Sequence, residues 1–289
     1  MLPLRVIWGL VRLLVNSCLF ISLAALSFAL QTYLLQGNPL LLTPLAILIF
    51  FATLFIYNWQ RMLSNKKRLP YAAPGMHQWI QSNTWWPRLA MTVSVVAMAV
   101  CVTQLSKPVI IGLIALGLIS FAYALPIPVG GGVRLRIRDL GLFKPFVLGL
   151  VWGFATALLP MLDMGVYVFS HDALFIIGKR VLFVSAICIP FDIKDMEFDR
   201  HTMRYPTIPL LVGEKYTHYI TLFVLLLFQV LVFIHNGLSP VGLALTASNA
   251  YTIAMILYPN PRHSEYYYTL GIDSTILVQF LLVLIAVRG

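Results

Sequence analysis

Charge is scarce in this sequence. Only 10% of the 289 residues are Asp, Glu, Lys or Arg, whereas 60% are hydrophobic and the mean hydropathy is +0.88. A soluble domain carries roughly a quarter of its residues as charged groups, because they cover the surface that faces water. Much of this surface must therefore face lipid. The composition excludes a soluble enzyme and predicts one integral membrane domain over residues 1–289.

Cysteine and histidine, the usual protein ligands of zinc, are also few. The three cysteines are Cys18, Cys101 and Cys188; they fall inside apolar runs and form no C-x-x-C pair. The six histidines show no ligand spacing. An odd number of scattered cysteines supports neither a disulfide framework nor a zinc site.

Acidic residues are fewer than basic ones, 10 against 20, which gives a net charge of +10. Such an excess can indicate a nucleic-acid partner, but it also orients membrane proteins and binds anionic head groups. The basic residues are scattered through short loops, with no basic domain interleaved with aromatic residues. We therefore expect membrane lipids as partners and no nucleic acid.

The apolar runs are long enough to cross a membrane as helices, which takes about 20 mainly apolar residues. The candidate spans are residues 13–35, 40–58, 88–106, 109–126, 144–162, 173–192, 217–235, 240–258 and 267–287. The sequence thus predicts an all-α fold, a polytopic membrane helix bundle with about nine transmembrane helices.

The basic residues predict the orientation of this bundle. With nine spans, all of them lie on the side of the N-terminus except Lys107, Lys179, Arg180 and Arg288. The positive-inside rule then places the N-terminus and the two large loops, 59–87 and 193–216, in the cytoplasm of an inner (plasma) membrane. Lys179 and Arg180 interrupt the sixth span, and we expect them to extend to the opposite interface.

Half of the acidic residues fall in one stretch at the end of the sixth span, where the three that share a helix face are Asp192, Asp195 and Asp199. On a helix they lie within a sector of about 60°. Three carboxylates on one face repel each other unless a cation lies among them. A solvated charged face is one interpretation. Acidic residues at the end of a membrane span are also candidates for function, and oxygen ligands alone suit magnesium.

This stretch resembles the second aspartate-rich motif of the UbiA-type intramembrane prenyltransferases. That motif reads D-x-x-D-x-x-x-D-R, followed by a basic residue, T-[LI]-P and Gly. The matching residues here are Asp192, Asp195, Asp199, Arg200, Arg204, Thr207, Ile208, Pro209 and Gly213. Tyr123, Lys144 and Gly149 resemble the family's region between the fourth and fifth helices, and nine helices with two large inner loops match as well.

The resemblance implies a lipid-facing pocket in which magnesium, held by aspartates, grips the diphosphate of an isoprenoid. Ionisation of this prenyl diphosphate would leave an allylic cation, which an aromatic or other hydrophobic acceptor attacks. Asp192, Asp195 and Asp199 would then bind magnesium. Tyr123, Lys144 and Arg204 would contact the substrate.

The family's first motif, N-D-x-x-D-x-x-x-D, is degenerate at the end of the second span. Asn58 is retained, and the resemblance implies that it contacts the substrate, but Trp59, Met62 and Lys66 replace the acidic residues. Arg61 and Lys66 either contact the diphosphate directly or only orient the chain in the membrane. Asp273 in the ninth span either faces the pocket or lies at an interface.

Three functions follow from these patterns. The leading hypothesis is a magnesium-dependent prenyltransferase that moves an isoprenoid group from a prenyl diphosphate to a lipid acceptor. The alternative is a degenerate pseudoenzyme that binds a prenyl lipid or a protein partner without turnover. A transporter fits least, because coupling acids would lie near the membrane midplane rather than at one end.

Overall fold

The computed structural model describes residues 4–68, 79, 82–125, 127–130, 133–202, 205–258 and 266–289. Within these ranges the chain is almost entirely helical, with one short hairpin. Eight helices are long and apolar enough to cross a membrane, and a bent pair near the N-terminus makes up a ninth candidate. The predicted polytopic bundle is confirmed.

The helices in chain order are α1 (Leu4–Asn16), α2 (Leu19–Leu35), α3 (Pro44–Arg68), α4 (Trp85–Val102), α5 (Lys107–Ala124), α6 (Lys144–Gly153), α7 (Leu159–Asp163), α8 (His171–Lys194), α9 (Met196–Thr202), α10 (Ile208–Asn236), α11 (Pro240–Leu257) and α12 (Ser274–Arg288). The strands β1 (Ile127–Gly130) and β2 (Val133–Leu135) pair antiparallel, with Ile127 opposite Leu135. A 3₁₀ turn (Ile137–Phe143) and two π turns (Phe154–Leu158 and Tyr267–Ile272) complete the described elements.

The first span, which the sequence predicted over 13–35, is bent. The axes of α1 and α2 differ by 69°, and the break falls at Ser17 and Cys18. Cys18 has a φ of 65°, a left-handed conformation that stops a helix. The break leaves backbone carbonyls at the end of α1 without helical partners, so they need donors from elsewhere.

The spans pack side by side around a buried aromatic core. α8 packs against α6 and α10, α2 packs against α3 and α12, and α11 joins α10 to α12. In the middle, the ring centroids of Phe28 and Phe183 lie 6.0 Å apart, and those of Phe183 and Phe228 lie 5.3 Å apart. These contacts tie α2, α8 and α10 together.

Lys179 and Arg180 are buried inside the bundle. Lys179 reaches Asn236, the last residue of α10, whereas Arg180 does not extend to an interface as expected. Only 5% and 4% of their surfaces are exposed. Arg180 donates to the backbone oxygen of Phe28 at 3.0 Å and lies over the Phe28 ring, while Lys179 contacts His235 and Asn236. The two cations join α8 to α2 and α10, because inward partners were available that the sequence pattern does not reveal.

Candidate functional site

Helices α6 and α8 approach each other closely, and this packing positions the polar residues at one end of the bundle. A Cβ added to Gly149 would lie 2.7 Å from the backbone oxygen of Val181 and closer still to Ser185 Oγ. A Cβ added to Gly153 would lie 2.5 Å from Val181 Cγ2. The two helices therefore approach closely at the small residues of the G-x-x-x-G sequence, as this motif predicts, and the order of these contacts shows that they run antiparallel.

Lys144 lies at the N-terminal end of α6, where Pro145 starts the helix. Because α6 and α8 are antiparallel, this end of α6 lies beside the C-terminal end of α8. Lys144 Nζ is 2.5 Å from Asp192 Oδ1 and 3.5 Å from Asp199 Oδ2. All three residues are buried, with 8%, 1% and 0% of their surfaces exposed. The lysine thus joins two of the three predicted aspartates.

Asp195 lies at the break between α8 and α9. Its conformation ends α8, but the Asp199 amide still donates to the Asp195 carbonyl at 2.8 Å, so the turn stays compact. The Asp195 carboxylate is 4.0 Å from Lys194 Nζ and within electrostatic range of Lys144. The three aspartates therefore stay together around one lysine despite the break. We call Lys144, Asp192, Asp195 and Asp199 the lysine–aspartate cluster.

Asp273 lies on the same side of the bundle as the cluster. It is buried at the start of α12, and Lys194 and Arg61 are within electrostatic range of its carboxylate. Cys188 lies within range of both Asp192 and Asp273. These charged neighbours place Asp273 on the cluster's side of the bundle, although it does not line the apolar cavity between α3, α4, α5 and α6. An acid inside an apolar span was the signal for it, but the sequence left its direction open.

The degenerate first motif contacts the backbone of the bent span. The Asn58 side-chain amide donates to the carbonyls of Ser17 at 3.2 Å and Leu54 at 2.8 Å. Arg61 donates to the carbonyls of Val15 at 3.4 Å and Asn16 at 2.8 Å. Asn16 and Ser17 lie at the break between α1 and α2, where carbonyls lack their usual helical donors, whereas Val15 also accepts from the Cys18 amide at 3.4 Å and Leu54 lies within α3. The contacts give Asn58 and Arg61 a structural task.

Two of the predicted substrate contacts cannot be placed. The backbone of Lys66 belongs to α3, but its side chain lies outside the described residues, and so does the whole of Arg204. Their assignment stays a prediction.

An apolar cavity of about 580 Å³ lies between α3, α4, α5 and α6. Its walls include Leu48, Met98, Leu113, Gly117, Val151 and Leu159. Its polar residues include Tyr57, Gln60 and Tyr123. Tyr123 is within electrostatic range of Lys144, and Tyr57 is within range of Cys188 and Asp273. The cavity therefore approaches the lysine–aspartate cluster at Tyr123, while the four cluster residues themselves lie outside its walls. Its volume suits a small lipid or a cofactor.

The fold is shared with a solved enzyme. The chain is similar to a digeranylgeranylglyceryl phosphate synthase in membranes, with a TM-score of 0.57, over 96% of this chain and 97% of the other. The two sequences are 15% identical. At that identity the likeness shows the fold alone. No protein-family model and no curated protein matches the sequence.

The fit of magnesium to this site can be tested on the donor groups. Carboxylate oxygens are the right ligands, and Asp192 Oδ2 is buried without a hydrogen-bond partner among the described residues. However, Lys144 lies against two of the carboxylates. In the described part of the chain no three His, Cys, Asp or Glu side chains are arranged to hold a metal ion. As arranged here, the cluster does not fit a resident magnesium ion.

Proposed function

We propose that this protein is a membrane prenyltransferase, which binds a prenyl diphosphate and transfers its isoprenoid group to a hydrophobic acceptor. The observation that carries the proposal is the apolar cavity whose residue Tyr123 lies within electrostatic range of Lys144 in the buried lysine–aspartate cluster. The fold shared with a digeranylgeranylglyceryl phosphate synthase supports it, and so does the resemblance of the aspartate stretch to the UbiA-type motif.

The two ends of the site match the two ends of such a substrate. The cavity walls are almost all apolar, so an isoprenoid tail would be favoured there by about 25 cal/mol for each Å² that it buries. At the other end Lys144 offers a cation for the diphosphate, and Lys194 lies near Asp195 and Asp273. Cations of this kind bind phosphate oxygens by charge-assisted hydrogen bonds.

The reaction needs a site that stabilises charge separation. The bond between the allylic carbon and the diphosphate oxygen breaks, and its electron pair leaves with the diphosphate. The acceptor then forms a bond to the allylic carbon and loses a proton, which the departing diphosphate takes up. Tyr57 and Tyr123 line the cavity near the cluster, where an aromatic ring attracts a cation.

We keep as a proposal the use of magnesium, which the resemblance to the aspartate-rich motif implies. Since the cluster does not fit a resident ion, magnesium would have to arrive with the diphosphate, whose charge it would offset. None of the steps above depends on it. We also propose that the protein lies in an inner (plasma) membrane with its N-terminus and large loops in the cytoplasm, as the basic residues predict.

A second function is favoured by the end of α3. Asn58 and Arg61 hold the backbone of the bent span, and the first motif has no acidic residues. A protein that binds a prenyl lipid or a protein partner without turnover would need only the cavity and would not need the first motif.

Pyrophosphate release distinguishes these functions. The purified protein in detergent is given prenyl diphosphates of increasing length with magnesium and an aromatic acceptor, and free pyrophosphate is measured. The transferase predicts release that Lys144→Gln abolishes, because this variant loses the cation offered to the diphosphate. Saturable binding without release supports the second function. A protein that neither binds nor releases contradicts both.

A further inference from the structure

The lysine–aspartate cluster contains its own cation. Asp192, Asp195 and Asp199 bring three carboxylates to one place, and like charges this close repel each other unless a cation offsets them. In this protein Lys144 supplies that cation, and its ammonium group contacts both Asp192 and Asp199.

Helix packing fixes the lysine in this place. Gly149 contacts Ser185, so α6 and α8 are in register there. From this contact Lys144 is five residues back along α6, about 7.5 Å, and Asp192 is seven residues on along α8, about 10.5 Å. A lysine stem covers the difference. The position of Lys144 thus follows from two antiparallel helices and does not depend on an exposed, mobile side chain.

The ammonium group excludes a divalent ion from the same carboxylates by its volume and by its charge. Magnesium binds oxygens at about 2.0–2.1 Å in an octahedron and gives up its water reluctantly. Lys144 Nζ lies 2.5 Å from Asp192 Oδ1, inside the space that such an ion and its waters need. A second positive charge at this distance would also be repelled strongly, because the groups are buried.

We infer that Lys144 is a built-in cation that takes the place of a divalent metal ion among Asp192, Asp195 and Asp199, so that the ligand-free protein does not bind the metal. The inference deepens the proposed function, on which it rests for the role of the site. The test of this inference uses no prenyl lipid, so the inference and the proposed function can fail independently of each other.

Manganese is the probe, because it is paramagnetic and prefers the same oxygen ligands as magnesium. The full chain in detergent is titrated with Mn²⁺, and bound ion is measured by electron paramagnetic resonance. The first variant is Lys144→Met. The second is Lys144→Gln, whose side chain can still donate hydrogen bonds to the carboxylates, and it serves if Lys144→Met misfolds. The third combines Lys144→Met with Asp192→Asn. Lys215→Met, on an exposed part of α10, is the matched control.

We expect the parent and the control to bind Mn²⁺ only weakly. Removal of the lysine charge should tighten binding at least about tenfold, since one buried positive charge no longer opposes the ion. The added Asp192→Asn change should reverse this gain. Tight binding by the parent would overturn the inference. So would weak binding by both Lys144 variants, because something other than the lysine would then exclude the metal.

Discussion

The ends of α3 and α8 both place a cation within electrostatic range of Asp273 but use their other polar residues differently. At the end of α8, Asp192 and Asp199 contact Lys144 beside the cavity. At the end of α3, Asn58 and Arg61 bind backbone carbonyls of the bent first span. In the family that the sequence resembles, both ends carry aspartate-rich motifs. In this protein the end of α8 pairs its acids with a lysine, while the end of α3 binds the backbone of the bent span.

The ends of α3 and α8 differ in whether their polar groups are available to bind a ligand. The carbonyls at Val15, Asn16 and Ser17 need donors in a membrane protein, because an unsatisfied backbone group in an apolar surrounding costs several kcal/mol. Arg61 therefore stabilises the fold through its hydrogen bonds to these carbonyls. Lys144 contacts carboxylates, and a diphosphate could compete for the same ammonium group. The predictions below test this division, beginning with the largest effect.

Loss of the Lys144 charge should cost the most. Lys144→Met removes the cation from a buried ion pair, which typically destabilises a protein by about 3–5 kcal/mol. Asp192→Asn should partly restore stability in the double variant, with a coupling energy of about 1–3 kcal/mol. Unfolding of the detergent-solubilised protein by increasing SDS measures all three variants. Costs that simply add would show that the ion pair does not couple the two residues.

Arg61→Ala should lower stability and leave ligand binding alone. The variant loses two charged hydrogen bonds to backbone carbonyls, and one such bond contributes about 1.5–3 kcal/mol. Affinity for a non-hydrolysable prenyl diphosphate, measured by calorimetry, should stay within about twofold of the parent, less than 0.5 kcal/mol. Arg88→Ala, at an exposed position of α4, is the control for the lost charge.

A loss of ligand affinity in Arg61→Ala without a loss of stability would contradict the structural role of the α3 end. If Arg61→Ala unfolds like the parent but binds the ligand at least about tenfold more weakly, or 1.4 kcal/mol, then Arg61 contacts the diphosphate, which is one of its two interpretations from the sequence. The end of α3 would then belong to the ligand site as well.

Gly117→Leu should weaken ligand binding without loss of stability. Gly117 lines the cavity, and a Cβ built there would meet no atom within 4 Å. A leucine should fill part of the tail site and reduce affinity about tenfold, or 1.4 kcal/mol. It should also stabilise α5, since Gly in a helix costs up to about 1 kcal/mol relative to a better helix former. Gly117→Ala gives the same helical gain with less volume, so equal affinity loss in both variants would contradict a tail in this cavity.

Asn58→Ala should have the smallest effect. The variant loses hydrogen bonds to Ser17 and Leu54, for a cost of about 1 kcal/mol, and ligand affinity should not change. SDS unfolding and the same calorimetric titration measure the two quantities. A clear drop in affinity would place Asn58 at the ligand, where the family resemblance put it.

Hydropathy was enough to predict the bundle, because a span must be apolar over its whole length. It could not predict the bend at Cys18, which depends on one left-handed residue, or the burial of Lys179 and Arg180, which depends on partners in distant helices. The third span begins at Trp85 rather than residue 88, since helix ends carry little hydropathic signal.

The candidate site was predictable as a set of residues but not as an arrangement. The spacing of Asp192, Asp195 and Asp199 indicated one face, and the close-packing glycines of α6 were recognisable. That Lys144 would lie between Asp192 and Asp199 follows only from the register of α6 on α8. The direction of Asp273 likewise depended on how α12 packs.

Photocrosslinking tests most directly the central claim that the cavity beside the lysine–aspartate cluster is the prenyl site. A prenyl diphosphate with a photoreactive group at the end of its tail is bound to the protein in detergent and irradiated, and the labelled residues are found by mass spectrometry. The account predicts label on cavity residues such as Leu113 and Val151, which excess unlabelled prenyl diphosphate removes and Gly117→Leu reduces. Label spread over the lipid-facing surface, unchanged by competitor, would contradict it.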